Sequence, residues 1–121
     1  MPSPRQRRGF EAEDRAQALI EAQGLRVEAR NFRCRSGEID IVAHDGDTLV
    51  FVEVRSRSHD RQGGAAASVD LRKQRRLIRA AEYYLLRHPD HRHRPCRFDV
   101  IALDADQDAN WIRNAFQVYS P

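Results

Sequence analysis

The chain has few of the residues that would make it a disulfide scaffold, a zinc protein or a membrane protein. Its 121 residues include two cysteines, Cys34 and Cys96, without CxxC spacing, so we predict that both are reduced, structural thiols. No apolar run approaches the roughly 20 residues of a membrane span, and no apolar signal-peptide core follows the basic segment at 1–8. We therefore expect one cytoplasmic domain over residues 1–121, with a flexible basic arm at 1–8 and no membrane partner.

Lysine is nearly absent as well. Lys73 is the one lysine among 21 basic residues, which are set against 18 acidic residues and leave a net charge of +3. The balance is mild, but arginines cluster in the N-terminal segment and before the first acidic run. Such a distribution favours a polyanion as the partner.

Two apolar runs, residues 37–43 and 50–55, have the alternation and the Ile and Val content of β-strands. The Asp45-Gly46 pair between them is typical of a tight hairpin. One face of this hairpin is apolar throughout and must be covered by helices, which fixes its register. The residues on that face are Ile39, Ile41, Ala43, Val50, Val52 and Val54.

The opposite face of the hairpin carries charged side chains: Glu38, Asp40, Glu53 and Arg55. With the Asp-Gly pair as the loop, Glu38 lies opposite Glu53 and Asp40 lies opposite Phe51. Neighbouring carboxylates repel each other, and burying one without a partner costs several kcal/mol. A divalent cation such as Mg²⁺ relieves both problems. The residues alone leave a second interpretation open, in which the acids are solvated and neutralised by nearby arginines.

The first of two helices precedes the hairpin. It is predicted from about Arg8 to Gln23, with Gly24 as its C-terminal stop. Glu13 lies at the edge of its apolar stripe, where it can point toward the sheet or pair with an arginine. The stripe comprises Ala12, Ala16, Leu19 and Ile20.

Residues 56–67 follow the hairpin without periodicity and predict a mobile loop. The second helix is predicted from about Ser68 to Arg87, with Lys73 beside its apolar stripe and Gln74 within it. The stripe comprises Leu77, Ile78, Ala81, Tyr84 and Leu85, and the opposite, basic arc comprises Arg72, Arg75, Arg76 and Arg79. This arc is either solvated or a phosphate-binding face.

Three further segments have strand character: 27–33, 97–104 and 111–119. Together with the hairpin and the helices they predict an α/β fold with a mixed sheet. Four potential metal ligands, His88, His91, His93 and Cys96, precede the 97–104 segment, but their spacing fits no standard zinc site and predicts a solvated loop.

The chain resembles the YraN family of small bacterial proteins over nearly its whole length. The residues that carry the resemblance are Gly9, Glu13, Ala16, Asn31, Arg33, GEIDIVA at 37–43, FVEVRSR at 51–57, Lys73 and RFDVIAL at 97–103. The resemblance implies a restriction-endonuclease-like core, similar to archaeal Holliday junction resolvases, with a PD-(D/E)xK active site.

In that pattern Asp40 is the first acid and Glu53-Val54-Arg55 is the D/E-x-K triplet. The resemblance implies that Asp40, Glu53, the Val54 carbonyl and Glu13 hold Mg²⁺ or Mn²⁺. Arg55 replaces the usual lysine; as a catalytic residue it can supply positive charge but stays protonated and cannot readily take a proton from water. Lys73 or Gln74 from the second helix is therefore a further candidate for the same pocket. Glu38 is a further accessory candidate.

The implied function is a metal-dependent endonuclease acting on branched or damaged DNA, which is expected to act as a homodimer so as to place two sites on two strands. The alternative is a non-catalytic nucleic-acid-binding module on the same fold. The arginines expected to contact DNA are Arg33, Arg35, Arg57, Arg72 and Arg76.

Overall fold

A computed structural model describes residues 4–56, 69–104 and 108–117, and for residues 4–10 it describes the backbone alone. The elements, in chain order, are α1 (Pro4–Ala22), β1 (Arg26–Cys34), β2 (Gly37–Asp45), β3 (Thr48–Ser56), α2 (Leu71–Arg87), β4 (Cys96–Leu103) and β5 (Ala109–Phe116), with a short 3₁₀ turn at Pro89–His91. Among these helices none is long and apolar enough to cross a membrane.

The five strands form one sheet in the order β1-β2-β3-β4-β5. Strands β3 and β4 are parallel, and every other neighbouring pair is antiparallel. The parallel pair needs a crossover connection, and α2 lies in it. The predicted α/β class, with a mixed sheet flanked by helices, is confirmed. The arrangement is consistent with a restriction-endonuclease-like core.

Each face of the sheet is covered by one helix. On one face, Ala16 and Ile20 of α1 pack in one cluster with Val50 and Val52 of β3, all fully buried. On the other face, Leu77 and Tyr84 of α2 belong to a cluster that includes Phe51. Each fully buried aliphatic or aromatic side chain contributes about 1.5–3 kcal/mol. The predicted apolar stripes of both helices are thus the surfaces that hold the fold together.

The first helix is longer than predicted. It begins at Pro4 instead of near Arg8, so the backbone of residues 4–8, which were predicted as a flexible arm, is helical; residues 1–3 lie outside the described residues. The predicted stop is confirmed, because Gly24 follows the helix with φ +91°, a conformation that favours glycine.

The second helix begins at Leu71, later than predicted from Ser68, which lies outside the described residues. The Asp70 side chain caps it by accepting the backbone N–H of Lys73 at 2.9 Å. The predicted mobile loop at 56–67 falls outside the described residues except for Ser56, which ends β3.

The three other predicted strands match β1, β4 and β5 with small differences at their ends. The last strand ends at Phe116, and residues 118–121 lie outside the described residues. Cys34 and Cys96 are both free, as predicted.

The register of the hairpin differs from the predicted one by two residues. Asp45 pairs with Thr48, so the loop is Gly46 and Asp47. Gly46 has φ +60°, as the first loop residue of a type II′ turn does. The predicted opposition of Asp40 and Phe51 is wrong, because Phe51 pairs with Val42. A two-residue shift by itself leaves side chains on their faces, which is why the predicted faces survive the wrong register except at Ile39.

The alternation of faces is interrupted next to Asp40. Ile39 packs in the α2 cluster together with Val42, although alternation assigned it to the face of Ile41, which packs against α1. On the neighbouring strand, Asn31 has φ +56° in the stretch between the pairs Arg30↔Ile41 and Phe32↔Ile39. A left-handed residue breaks the strand pleat. The predicted position of Ile39 on the face of Ile41 is therefore wrong. Asp40 lies at this irregular point of β2.

Candidate active site

Asp40 and Glu53 are neighbours at the point where β2 and β3 cease to pair. The backbone ladder between these strands runs from Asp45↔Thr48 to Ile41↔Val52. One step beyond it, the Asp40 carboxylate accepts the backbone N–H of Val54 at 2.8 Å. The carboxylate therefore takes the place of a strand carbonyl and is held beside the start of the Glu53-Val54-Arg55 triplet.

A pocket of about 260 Å³ opens over these two acids. Its walls come from β2, β3 and α2. The lining residues are Glu38, Asp40, Glu53, Lys73, Arg76 and Leu77. Both acids are buried, each with 7% of its surface exposed, so water screens them poorly.

Burial and repulsion from neighbouring carboxylates disfavour the ionised forms of Asp40 and Glu53. Burial raises the pKa of Asp40 most, and the charge of Glu53 adds to it, giving about 9 in spite of the hydrogen bond from Val54. Burial also raises the pKa of Glu53, to about 7, although a hydrogen bond with Asp40 and the charge of Arg55 act in the opposite direction. A divalent cation would lower both pKa values and allow both groups to ionise.

Asp99 is the contrasting case of a buried acid with a structural role. Its side chain is fully buried and accepts hydrogen bonds from Arg97 Nε at 3.1 Å, Trp111 Nε1 at 3.0 Å and the Asn114 backbone N–H at 2.9 Å. Donors from two strands satisfy this carboxylate. In the pocket, Asp40 accepts one backbone N–H and Glu53 has two cationic neighbours at 3.2 and 3.6 Å.

Two cationic side chains reach Glu53. The Lys73 Nζ atom lies 3.2 Å from Glu53 Oε1, and the Arg55 Nη1 atom lies 3.6 Å from the same oxygen. Lys73 comes from the first turn of α2, where the Asp70 cap fixes its backbone. The helix therefore places a lysine amine at the acid that belongs to the triplet, which has an arginine in the usual lysine position.

Glu13 lies at the edge of the site and is already paired. Its Oε2 atom is 3.2 Å from the Arg30 guanidinium, which also contacts Asp14 at 2.6 Å. Its charge nevertheless contributes to raising the pKa of both Asp40 and Glu53. The pairing with an arginine that the sequence left open is therefore present, and Glu13 is also close enough to influence a cation bound by the two acids.

Glu38 and Gly37, at the start of β2, lie beside α2. Glu38 lines it while its Oε2 atom pairs with Arg33 Nε at 2.9 Å. A Cβ atom at Gly37 would lie 2.9 Å from the backbone oxygen of Arg76, closer than real Cβ contacts allow. The start of β2 therefore packs directly on the backbone of α2.

The structure does not bring every predicted residue to this pocket. Gln74 donates from Nε2 to the Val69 carbonyl at 3.0 Å and lines a separate groove of about 560 Å³ beside Ile78 and Gln117. Its predicted accessory role is therefore wrong, because its side chain lies on the other flank of α2. Arg35 and Arg72 are exposed, and Arg57 lies outside the described residues.

A second polar cluster, the Glu28 cluster, was not predicted from the sequence. The Glu28 carboxylate meets His44 Nε2 at 2.8 Å and His91 Nε2 at 2.9 Å, and it accepts the Tyr84 hydroxyl. Its members come from β1, β2, the 3₁₀ turn and α2, so no local spacing could reveal them. The predicted solvated loop is wrong for His91, which is buried.

Comparisons with known proteins show which family the chain resembles. The chain is 54% identical to a UPF0102 protein of Alcanivorax borkumensis over 112 residues, which are 89% of this chain and 90% of that protein. It is 56% identical to a UPF0102 protein of Halorhodospira halophila over 114 residues, 94% of this chain and 89% of that protein.

A UPF0102 protein of Stutzerimonas stutzeri is 52% identical over 118 residues, 95% of this chain and 98% of that protein. The family model described as "Uncharacterised protein family UPF0102" matches residues 12–103, from Ala12 on α1 to the end of β4. This range contains both acids and Lys73, and the predicted membership of the YraN family is confirmed. The chain therefore belongs to the UPF0102 (YraN) family.

Proposed function

We propose that this protein is a metal-dependent endonuclease that hydrolyses phosphodiester bonds in branched or damaged DNA. The observation that carries the proposal is the buried Asp40–Glu53 pair, with the Lys73 amine 3.2 Å from Glu53 in an open pocket. Two carboxylates can hold a metal ion for phosphodiester hydrolysis, and one amine can stabilise the charge that develops on the phosphoryl oxygens.

The donor set of the pocket fits Mg²⁺ or Mn²⁺. Asp40 and Glu53 offer the hard oxygen ligands that these ions prefer, and burial together with repulsion from neighbouring carboxylates raises the pKa of both acids, which a bound cation would oppose. The Val54 carbonyl and Glu13 complete the proposed ligand set. When bound, the ion supplies Lewis acidity toward a phosphate oxygen and lowers the pKa of water.

Lys73 is the residue that we assign to the role of the missing triplet lysine. A guanidinium stays protonated at every relevant pH, whereas an ammonium group can give up a proton and is more compact. Lys73 also lies closer to Glu53 than Arg55 does. In this assignment, Lys73 stabilises the charge that develops on the phosphoryl oxygens, and Arg55 keeps the Glu53 carboxylate ionised and oriented.

Exposed arginines around the pocket supply the proposed DNA contacts. Arg76 lines the pocket itself, and Arg72 is exposed on the same helix. Arg33 and Arg35 are exposed at the end of β1 and in the turn after it. Guanidinium groups bind phosphates in bidentate fashion, so these side chains can position a nucleic-acid backbone over the two acids.

The test is cleavage of labelled four-way, flap, single-stranded and duplex DNA with Mg²⁺ or Mn²⁺. Asp40→Asn and Glu53→Gln are expected to abolish cleavage while preserving the fold by circular dichroism. Asp47→Asn is the matched control, because Asp47 belongs to the same hairpin but its side chain is 98% exposed in the loop. The absence of cleavage of all four substrates by the wild type, with either metal, would overturn the proposal.

One observation favours the non-catalytic alternative. Glu53 already has two cationic partners, Arg55 and Lys73, as a structural ion pair on a DNA-binding module would have. This alternative expects DNA binding without cleavage. It also expects Asp40→Asn and Glu53→Gln to bind DNA as well as the wild type or more tightly, because they remove negative charge beside the phosphates.

A further inference from the structure

The Glu28 cluster lies at the opposite end of β2 from the acid pocket. His44 is four residues beyond Asp40, about 13 Å along the strand. The side chains of His44 and His91 are 6% and 5% exposed, whereas that of Glu28 is 24% exposed and leaves an opening to solvent. The cluster is thus a buried pair of imidazoles with one accessible side.

The ligand atoms of this cluster converge on one point. One oxygen of Glu28 and one ring nitrogen each of His44 and His91 lie within 4.8 Å of one another. The Tyr84 hydroxyl donates to the second carboxylate oxygen and orients it. Hydrogen bonds from Tyr84, His44 and His91 outweigh burial and lower the pKa of Glu28 to about 2, so this carboxylate is ionised throughout the neutral range.

We propose that Glu28, His44 and His91 form a second metal site, which binds a divalent transition-metal ion such as Zn²⁺. Two imidazole nitrogens and one carboxylate oxygen, with one side open, match a common donor set for zinc. Imidazole ligands favour Zn²⁺, Co²⁺ and Ni²⁺ over Mg²⁺, which prefers oxygen ligands. The two metal sites of the molecule therefore differ in ion preference, and the second does not depend on the proposed nuclease function.

Arg94 controls whether His91 can bind an ion. Its Nε–H donates to His91 Nδ1 at 3.0 Å, so in this arrangement the ring proton is on Nε2 and points at Glu28. Binding an ion through Nε2 requires this proton to move to Nδ1 and Arg94 to turn away. The Arg94 side chain is 35% exposed and has a second partner in the exposed Asp47 at 3.7 Å, so it has room to move.

The proposal assigns the ion a structural role. It would join the neighbouring strands β1 and β2 to the turn that follows α2, which is distant from both in sequence. An ion that binds the folded state alone stabilises it in proportion to the logarithm of the free ion concentration. Zn²⁺ is therefore expected to raise Tm, and Mg²⁺ is not expected to act through this cluster.

The test is a titration of Zn²⁺ by calorimetry and of Co²⁺ by visible absorption. The protein carries Asp40→Asn and Glu53→Gln, so that the acid pocket does not contribute. We expect one ion per chain, with affinity lowered at least about 100-fold by His44→Ala or His91→Ala. His93→Ala is the matched control, because His93 is exposed and two residues from His91. It is expected to leave the affinity unchanged.

Arg94→Gln is expected to change the Zn²⁺ affinity in the opposite direction from the histidine variants. It frees His91 Nδ1 and removes a nearby positive charge, so Zn²⁺ affinity is expected to rise about tenfold. This variant leaves both buried histidine rings in place, so the test remains valid if an alanine variant fails to fold. The proposal is overturned if Zn²⁺ does not bind, if the histidine variants bind it as well as their parent, or if Arg94→Gln weakens or leaves unchanged the affinity.

Discussion

At the scale of single residues, the assignment of Lys73 in place of a triplet lysine makes a direct prediction. Lys73→Met is expected to lower kcat/KM for DNA cleavage by about 10²–10³, the usual effect of losing one electrostatic group in the transition state. Arg55→Gln is expected to lower it by less than about tenfold, since Arg55 lies farther from Glu53. Single-turnover cleavage with saturating Mg²⁺ measures both.

Lys73→Arg is the informative companion variant. It keeps the positive charge but removes the ability to release a proton, so it separates an electrostatic role of Lys73 from one in proton transfer. A larger loss of activity in Arg55→Gln than in Lys73→Met would show that Arg55, and not Lys73, has the role of the triplet lysine.

The acid pair itself predicts how stability depends on pH. Asp40 has its pKa raised from 3.8 to about 9. A raised folded-state pKa gives stability that is complete below the unfolded pKa and is lost as pH rises through the folded one. The metal-free protein is therefore expected to lose stability between about pH 4 and pH 9. Asp40→Asn is expected to remove much of this loss and to be about 1–3 kcal/mol more stable than the wild type at pH 9.

Urea unfolding at pH 6 and pH 9, in chelator, provides the measurement. Asp47→Asn again serves as the control, because its exposed side chain has no comparable burial. Equal urea midpoints for wild type and Asp40→Asn at pH 9 would show that the Asp40 carboxylate is not destabilised there.

At the scale of elements, the start of α2 decides where Lys73 lies. Asp70→Ala removes the N-terminal cap and is expected to cost about 1 kcal/mol of stability. It is also expected to lower cleavage activity more than this stability loss explains, because Lys73 sits in the capped turn. Asp70→Asn, which can still accept the hydrogen bond, should restore both. Activity and urea midpoints of the two variants, measured side by side, check the prediction, and unchanged activity in Asp70→Ala would refute it.

The hairpin shows which features a sequence can predict. The side-chain period of a strand is two residues, so the acids were placed on the correct face even though the predicted register was wrong by two. The interruption beside Asp40 was not predicted, because alternation within β2 does not register an irregularity such as Asn31, which lies opposite it on β1. The alternation of side chains describes a single strand, whereas this irregularity lies where two neighbouring strands meet.

Contacts between side chains of different helices and strands were also not predictable from the sequence. Lys73 and Gln74 are adjacent, yet one reaches Glu53 and the other turns to Val69. A helical wheel places them 100° apart and does not say which flank faces the acids. Glu28 and His91 are 63 residues apart, so their contact depends on the complete fold.

At the scale of the whole molecule, the distribution of arginines predicts salt-dependent DNA binding. Replacing Arg72 and Arg76 by glutamine is expected to lower the slope of log K against log salt by about one per lost phosphate contact. Arg87→Gln is the matched control, since Arg87 lies on the same helix about 16 Å beyond Arg76. Fluorescence anisotropy over a range of salt concentrations gives the slopes, and equal slopes for all variants would place the DNA elsewhere.

The contact between Gly37 and α2 has a consequence for the whole site. Because a Cβ at residue 37 would lie 2.9 Å from the Arg76 carbonyl oxygen, the strand and the helix touch main chain to main chain. Arg76 is about one helical turn from Lys73, so this contact also sets how closely the backbone at Lys73 approaches β2. A side chain at residue 37 is therefore expected to push α2, and Lys73 with it, away from the strand that carries Asp40.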